Sequence, residues 1–222
     1  MAIVTLSELR QQVRERSDMV YSQFVSDAEI TRYLNQSLAK LWDLLVQANV
    51  DYYNTTETFS ISSGTNTHTL PTDFYKIRGL DSDLGGRWLP VWPYNFAERG
   101  YWQDAVISRI CSSVSYRVTN NTLEFLPDTQ ASGNYRLIYV PLFTPLSDDD
   151  DTFDGHNGYE VYAIIDAAIK CRDKEESSIT VLKDSKDEEK KRILAMSEVR
   201  DYGATQQVAN IRAYNGGSSY DY

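Results

Sequence analysis

The sequence predicts an α+β protein: a discontinuous helical bundle with an inserted small antiparallel β domain and an extended C-terminal tail. The prediction rests on how the spacing of apolar residues changes along the chain. Helical spacing holds over about the first 50 residues and returns after residue 148, whereas strand-like alternation fills the region between them. We therefore expect the bundle at 1–50 and 149–203, the β insertion at 51–148 and a flexible tail at 204–222.

Two capping boxes predict the N-terminal helices. Thr5 and Ser26 each stand three residues before a glutamate, Glu8 and Glu29, so that each pair can satisfy two backbone N–H groups. Apolar residues occupy the staple positions around the caps: Val4 with Leu9, and Val25 with Ile30. The second helix is predicted from Asp27 to about Asn49, with an apolar stripe of Ile30, Tyr33, Leu34, Leu38, Leu41, Trp42 and Leu45.

Alternating apolar residues predict the strands of the insertion. They lie around residues 59–61, 68–70, 114–118, 123–125 and 135–140. Residues 63–66 are predicted as a hairpin loop between the first two strands, and Asn120 with Asn121 as the turn between the next two. Asn95 is expected to cap one short helix in this region.

Helix is predicted to return after the acidic run at 148–151, whose last carboxylates suit the positive N-terminus of the helix that follows. A broad apolar face comprises Val161, Tyr162, Ile164, Ile165, Ala168 and Ile169. A break near 175–178 precedes a charged helix with Leu182, Ile193 and Met196, which should end at Tyr202 with Gly203 as its left-handed terminator. The two helical ends of the chain need each other to bury these faces, so we expect them to form one bundle.

The charge balance limits the possible partners. There are 22 basic and 32 acidic residues, which gives a net charge of -10 and a pI near 4.7. Nonspecific binding of nucleic acid needs a basic surface, so the composition speaks against it. The apolar runs are far shorter than the roughly 20 residues of a membrane-spanning helix, and neither a membrane partner nor a secretory signal is expected. Two distant cysteines, Cys111 and Cys171, suit a reducing cytosol.

The motifs give little support for catalysis or for a metal. Neither a phosphate-binding glycine loop nor a paired zinc-ligand motif occurs, and the two histidines, His68 and His156, are far apart. Residues 150–155 begin like a calcium loop, but the twelfth position, which needs a bidentate glutamate, is Val161. Cys171 has no identifiable activating partner. We expect no catalytic residues, no metal and no cofactor.

Three tryptophans in the β region leave two interpretations open. Trp88, Trp92 and Trp102 lie near four acidic residues, Asp73, Asp81, Asp83 and Glu98. Paired carboxylates beside aromatic rings are typical of carbohydrate sites, and this favours a carbohydrate- or receptor-binding tail module. The other interpretation is that the tryptophans fill a small core or an interface, which is the commoner use of such residues.

Several segments resemble the head-to-tail adaptor (neck or connector) proteins of tailed double-stranded-DNA bacteriophages. These segments are residues 24–30, 70–76, 123–127, 135–139, 153–160 and 166–171, with 174–176. The order of helix, sheet and helix is similar to that of tail tubular protein A of short-tailed phages. None of these segments is a catalytic signature, so the resemblance rests on their number and order.

The resemblance implies a structural virion protein in the neck of the particle, made in the host cytoplasm. It would form a ring, commonly of twelve copies, beneath the portal protein and extend the DNA channel to the tail or nozzle proteins. DNA would pass through the lumen without specific binding. We interpret the C-terminal arm as the contact with the portal or a neighbouring subunit, through Val208, Ile211, Tyr214, Tyr220, Asp221 and Tyr222.

The failed calcium loop and the separated histidines predict that folding needs no metal. Thermal melting with and without a chelator should therefore give the same midpoint, because nothing is removed that binds only the native state. A large fall in the melting temperature on adding EDTA would contradict the prediction.

Overall fold

Four α-helices and ten β-strands make up the described parts of the chain. The computed structural model describes residues 3–100 and 114–197, without the side chain of Val50. The helices are α1 (Leu6–Ser17), α2 (Asp27–Ala48), α3 (Glu160–Lys174) and α4 (Thr180–Ser197). Together with the mainly antiparallel sheets they confirm the predicted α+β class.

Both predicted capping boxes are present. The Thr5 N–H donates to Glu8 at 2.9 Å and the Glu8 N–H donates to the Thr5 hydroxyl at 3.2 Å. The same exchange joins Ser26 and Glu29 at 3.1 and 3.3 Å. All four staple residues are buried, so each cap fixes both the start of its helix and the direction of the chain that enters it.

The helices share one apolar core. Its most fully buried members come from all four helices: Leu6, Leu9, Ile30, Leu34, Leu38, Leu41, Leu45, Ile164, Ala167, Cys171 and Ile193. The helix α4 contributes only Ile193 and Ser197 to the buried set, although it has 18 residues. Apolar burial therefore accounts for little of the attachment of α4.

A buried carboxylate joins three of the helices. Asp166 of α3 is 5% exposed and accepts a hydrogen bond from Ser37 of α2 at 2.7 Å. Lys186 of α4 donates to its other oxygen at 2.7 Å. Lys40 of α2 and Lys170 of α3 lie 3.1 and 3.3 Å from the carboxylate. We call these five residues the Asp166 cluster.

The surroundings of Asp166 decide its charge state. Burial raises its pKa, but the hydrogen bonds from Lys186, Ser37 and Lys40 outweigh burial, and the net shift lowers the pKa. An unfolded aspartate has a pKa of about 3.9. The stabilisation from the carboxylate is therefore fully present above that pH and is lost as the pH falls through the lower pKa of the folded protein.

Two four-stranded sheets form the β insertion and share a second apolar core. The strands of the insertion are β2 (Thr55–Ile61), β3 (Thr67–Thr69), β4 (Phe74–Asp83), β5 (Trp88–Pro90), β6 (Trp92–Pro93), β7 (Ser115–Thr119), β8 (Thr122–Leu126) and β9 (Gly133–Pro141). One sheet has the order β2-β9-β4-β5 and the other the order β3-β8-β7-β6. Phe125 of one sheet and Tyr135 of the other meet in the core, with ring centroids 4.7 Å apart.

The predicted hairpin at residues 63–66 is wrong. The strands on either side, β2 and β3, belong to different sheets, so the turn carries the chain from one sheet to the other. Phe59 of β2 instead stacks on His68 of β3 at 3.7 Å between ring centroids. Long-range pairing of β2 with β9 over seven residues outweighs the local pairing that the turn would allow.

The second predicted hairpin is confirmed. Strands β7 and β8 pair antiparallel from Ser115 with Leu126 to Thr119 with Thr122, and Asn120 has a φ of 53° in the turn. The short strand β6 differs from the expected antiparallel pattern, because it pairs parallel to β7. A single residue, Val91, separates β5 from β6. Its N–H donates to the carbonyl of Leu80 in the first sheet. Asn95 caps a short 3-10 helix, Phe96–Glu98, as predicted.

The acidic run caps the first helix and not the third. The backbone N–H groups of Leu6 and Ser7 donate to the carbonyls of Asp151 and Asp149, and Arg10 forms an ion pair with Asp149. Strand β10 (Thr152–Asp154) follows and pairs with β1 (Ile3–Thr5), so the expected placement beside the following helix is wrong. Pairing with β1 holds the run at the N-terminus of α1.

Polar contacts connect the sheets to the helices. The Tyr75 hydroxyl donates to Asp43 of α2 at 2.9 Å, and Arg78 donates to Asp51 at 2.8 Å. Asn35 of α2 exchanges two hydrogen bonds of 2.9 Å with the backbone of Leu146. The first two contacts hold β4 beside the C-terminal end of α2, and the last pair fixes the segment after β9 against α2.

Replacement of Asp166 should destabilise the bundle. Asp166→Asn removes the charge that three lysines surround, and the loss of one partner from a buried ion pair costs about 3 kcal/mol or more. We expect the melting temperature to fall by roughly 6–12 °C. Asp173→Asn, an exposed acid on the same helix, is the control and should change stability by less than about 0.5 kcal/mol. Equal melting temperatures for the two variants would contradict the role of the Asp166 cluster.

Candidate interaction surfaces

The loop between α1 and α2, residues 18–26, is held by one arginine. The Arg14 guanidinium donates to the carbonyls of Met19, Ser22 and Val25 at 3.4, 2.9 and 3.1 Å. It also forms an ion pair with Asp27 at 2.7 Å, and this hydrogen bond, partly opposed by burial, lowers the pKa of Asp27. The side chains of Met19 and Val25 are buried in the helical core and anchor the loop there. The 18–26 loop is thus fixed at both ends.

Large apolar side chains on this loop point into solvent. Tyr21 is 98% exposed, and Val20 and Phe24 are 49% and 54% exposed. The Lys174 ammonium lies 4.9 Å from the centre of the Phe24 ring. Clustered exposed apolar groups on a fixed loop are typical of protein contact sites.

A groove of about 530 Å³ lies between α2 and the segment after β9. We call it the α2 groove, and its lining comprises Asn35, Gln36, Ala39, Trp42, Asp43, Tyr75, Leu142, Phe143 and Pro145. The Trp42 ring stacks on Tyr53 with centroids 3.6 Å apart. Within residues 3–100 and 114–197, the buried Trp42 Nε1–H has no acceptor. The lining of the groove is therefore mainly apolar.

The alternative interpretation, a carbohydrate platform, is not favoured by the geometry. Trp92 is 70% exposed, but the Arg136 guanidinium covers Trp88, 4.8 Å from its ring centre. Arg136 also pairs with Asp81 at 2.6 Å. The other nearby acids are engaged too: Asp73 accepts from the Tyr139 hydroxyl and Asp83 from the Gly86 N–H, while Glu98 is exposed. Trp102 lies outside the described residues.

The two histidines remain apart. His68 lies on β3 against Phe59, and burial, partly opposed by Glu57, lowers its pKa. His156 lies after β10, beside Tyr52 at 4.8 Å between ring centroids. Across the described ranges, no three His, Cys, Asp or Glu side chains come together as metal ligands would. Residues 152–154 of the calcium-like motif form β10, an extended strand that cannot wrap around an ion.

Cys171 lies in the helical core. Burial raises the pKa of its thiol to about 11, so the reactive thiolate is disfavoured at neutral pH. Cys111 lies outside the described residues.

Glycine is needed at position 155 for steric reasons. A Cβ on Gly155 would meet the Glu160 side chain and would lie 2.9 Å from the Glu160 backbone nitrogen. Glu160 is 8% exposed, and burial raises the pKa of its carboxyl, partly opposed by its own N–H and by Arg192. The requirement is one of packing at the start of α3.

The residues proposed for the C-terminal contact lie outside the described residues. They are Val208, Ile211, Tyr214, Tyr220, Asp221 and Tyr222, and the predicted helix end at Gly203 lies outside as well. The 18–26 loop and the α2 groove were not predicted from the sequence. The one available signal was the pair Tyr21 and Phe24, which are aromatic yet lie before the second helix and outside its apolar stripe.

Comparison with known proteins places the chain in a family. None of the described helices is long and apolar enough to cross a bilayer. No curated protein matches the sequence. The family model described as SU10 adaptor protein matches residues 4–209. Because this match covers nearly the whole chain, the chain belongs to the SU10 adaptor protein family, which confirms the predicted phage head-to-tail adaptor at the level of the family.

Proposed function

We propose that the protein forms a ring beneath the portal, in the neck of the virion, and extends the DNA channel to the tail or nozzle proteins. The observation that carries this proposal is the family match over residues 4–209. The adaptor family is structural and not enzymatic, and a phage adaptor is a component of the virion. A ring of twelve copies would follow the symmetry that the resemblance implies for the portal.

The net negative charge supports a channel through which DNA slides. The 22 basic and 32 acidic residues give a net charge of -10. Like charges repel, so an acidic lumen keeps the phosphate backbone from binding to its wall. DNA therefore passes without a specific contact.

The two apolar cores support a division of the chain into a helical unit and a β insertion. We assign residues 1–50 and 149–203 to one helical unit and residues 51–148 to a β insertion, since one buried cluster is mainly helical and the other lies between the two sheets. Exposed apolar residues occur on both units, such as Tyr21 and Trp92. A subunit that contacts several neighbours at once needs such surfaces.

We further propose that residues 204–222 form an arm that docks on the portal or on a neighbouring subunit. The arm has too few apolar residues for a core of its own, but it has three tyrosines, Tyr214, Tyr220 and Tyr222. Tyrosine supplies a large contact area at a small cost in rotamer entropy, which suits a segment that orders on binding.

The ring predicts several copies of the protein on each portal assembly. Mass photometry of the protein mixed with its cognate portal should show a complex heavier than the portal by many multiples of 25.4 kDa, the mass of one chain. The free protein is expected to stay monomeric until the portal gathers the copies. A strict complex of one copy with one portal would overturn the proposal.

Deletion of residues 204–222 should separate folding from docking. The melting temperature should stay within about 2 °C, because we expect the helical bundle to end at Gly203. Portal binding or completion of particles should be impaired. A full-length variant with Tyr214→Ser, Tyr220→Ser and Tyr222→Ser tests the side chains at unchanged length. Normal particle yield from both variants would show that the segment is dispensable.

A further inference from the structure

We propose that the Glu160 carboxyl is a proton-dependent switch at the junction of α3 and α4. As a neutral acid it packs against Gly155 and keeps the junction closed. Its ionisation loosens the turn at residues 155–159 and, with the turn, the helix α4 that rests on it. The inference concerns the single chain and does not depend on the proposed ring.

The carboxyl of Glu160 is enclosed by the protein. Glu160 is the first residue of α3 and is 8% exposed. Its Oε2 lies against the backbone of Gly155, in the space that a Cβ at that position would fill. No donor in the described part of the chain forms a hydrogen bond with this buried oxygen. A charge in such a place costs more free energy than a neutral acid, so the closed junction favours the protonated carboxyl.

The turn beside this carboxyl is one of the places where α4 is attached. Arg192 of α4 donates to the Gly158 carbonyl at 3.2 Å, and its guanidinium lies 5.2 Å from the centre of the Tyr159 ring. Only two of the 18 residues of α4 are buried, so polar contacts of this kind matter to its attachment. A shift of the turn therefore weakens the packing of α4.

The turn itself has a strained backbone. His156 has a φ of 48°, in the left-handed region that costs energy at a residue with a side chain, and Gly158 has a φ of 80°. The Tyr159 N–H closes the turn by donating to the Gly155 carbonyl at 3.1 Å. Opening releases the strain and gives Glu160 access to water, so this turn is the element that yields when the carboxyl ionises.

The charged groups around Glu160 do not neutralise its carboxylate. Arg192 is the cation that acts on it, but the Arg192 Nε–H already donates to Glu189 at 2.7 Å. From β10, Asp154 adds a like charge, and His156 lies 3.5 Å from Asp154. Burial is the main cause that raises the pKa of Glu160, and its own N–H and Arg192 oppose only part of the rise.

The sign of the pH dependence follows from this rise. An unfolded glutamate has a pKa of about 4.3, and the pKa of Glu160 in the closed junction is higher. The closed form therefore binds the proton more tightly than the open form does. Its stabilisation is fully present below about pH 4.3 and is lost as the pH rises through the pKa of the closed form.

The test is hydrogen exchange of the full-length protein between pH 5 and pH 8. The amide protection of residues 180–197, corrected for the intrinsic exchange rate at each pH, measures the opening of α4. We expect this protection to fall at least about threefold across the range. Protection that stays constant, or that rises because ionised Glu160 binds Arg192, would overturn the inference.

Two variants assign the pH dependence to one carboxyl. Glu160→Gln has nearly the same shape but cannot ionise, so the protection of α4 should no longer change with pH. Asp154 and His156 titrate in this variant as well, so a difference from the unaltered protein belongs to Glu160. Glu176→Gln, the same change at an exposed residue, is the control and should keep the full dependence. Retention of the full dependence in Glu160→Gln would overturn the inference.

A direct titration covers the case in which Glu160→Gln does not fold. Carbon-13 NMR of the glutamate carboxyls in the unaltered protein follows Glu160 itself. We expect its titration midpoint to lie above the value of about 4.3 that is usual for an exposed glutamate. A midpoint at or below that value would show that the closed junction does not hold the proton, and the switch would be wrong.

Discussion

The burial of one carboxylate, Asp166, is the constraint on which the helical part of the protein depends. A buried charge is costly unless donors surround it, and here the donors come from three helices. The cluster therefore sets the relative positions of α2, α3 and α4. The helix α4 has only Ile193 and Ser197 in the buried set, and its polar contacts to the rest of the bundle include Lys186 with Asp166 and Arg192 with the Gly158 carbonyl. The packing of α4 against the other helices therefore depends on this junction.

Several basic side chains are largely withdrawn from the surface. The side chains of Arg14, Lys170 and Lys186 are only 19%, 22% and 25% exposed, and each is paired with an acid or a backbone carbonyl. The basic residues that stabilise the fold are thus partly withdrawn from solvent.

Rigid support and exposed apolar groups occur together in this molecule. Arg14 fixes the 18–26 loop, and the paired hydrogen bonds of Asn35 with Leu146 fix one wall of the α2 groove. Strands β1 and β10 tie residues 3–5 to residues 152–154, so both helical ends of the chain form one unit. Such a unit can present contact surfaces at defined positions.

The sequence by itself determined the local structure of this protein. The caps at Thr5 and Ser26, the stripe of α2 and the hairpin at Asn120 depend on residues three to five apart, whose contacts form wherever the chain goes. Tertiary structure decided which sheet receives β3, where the acidic run binds, what surrounds Asp166, and how the α2 groove forms. Many of the contacts behind these features join residues far apart in the sequence, such as Ser37 and Asp166, which are 129 positions apart. Local spacing contains no information on such pairs, because long-range packing selects them only after the helices and strands exist.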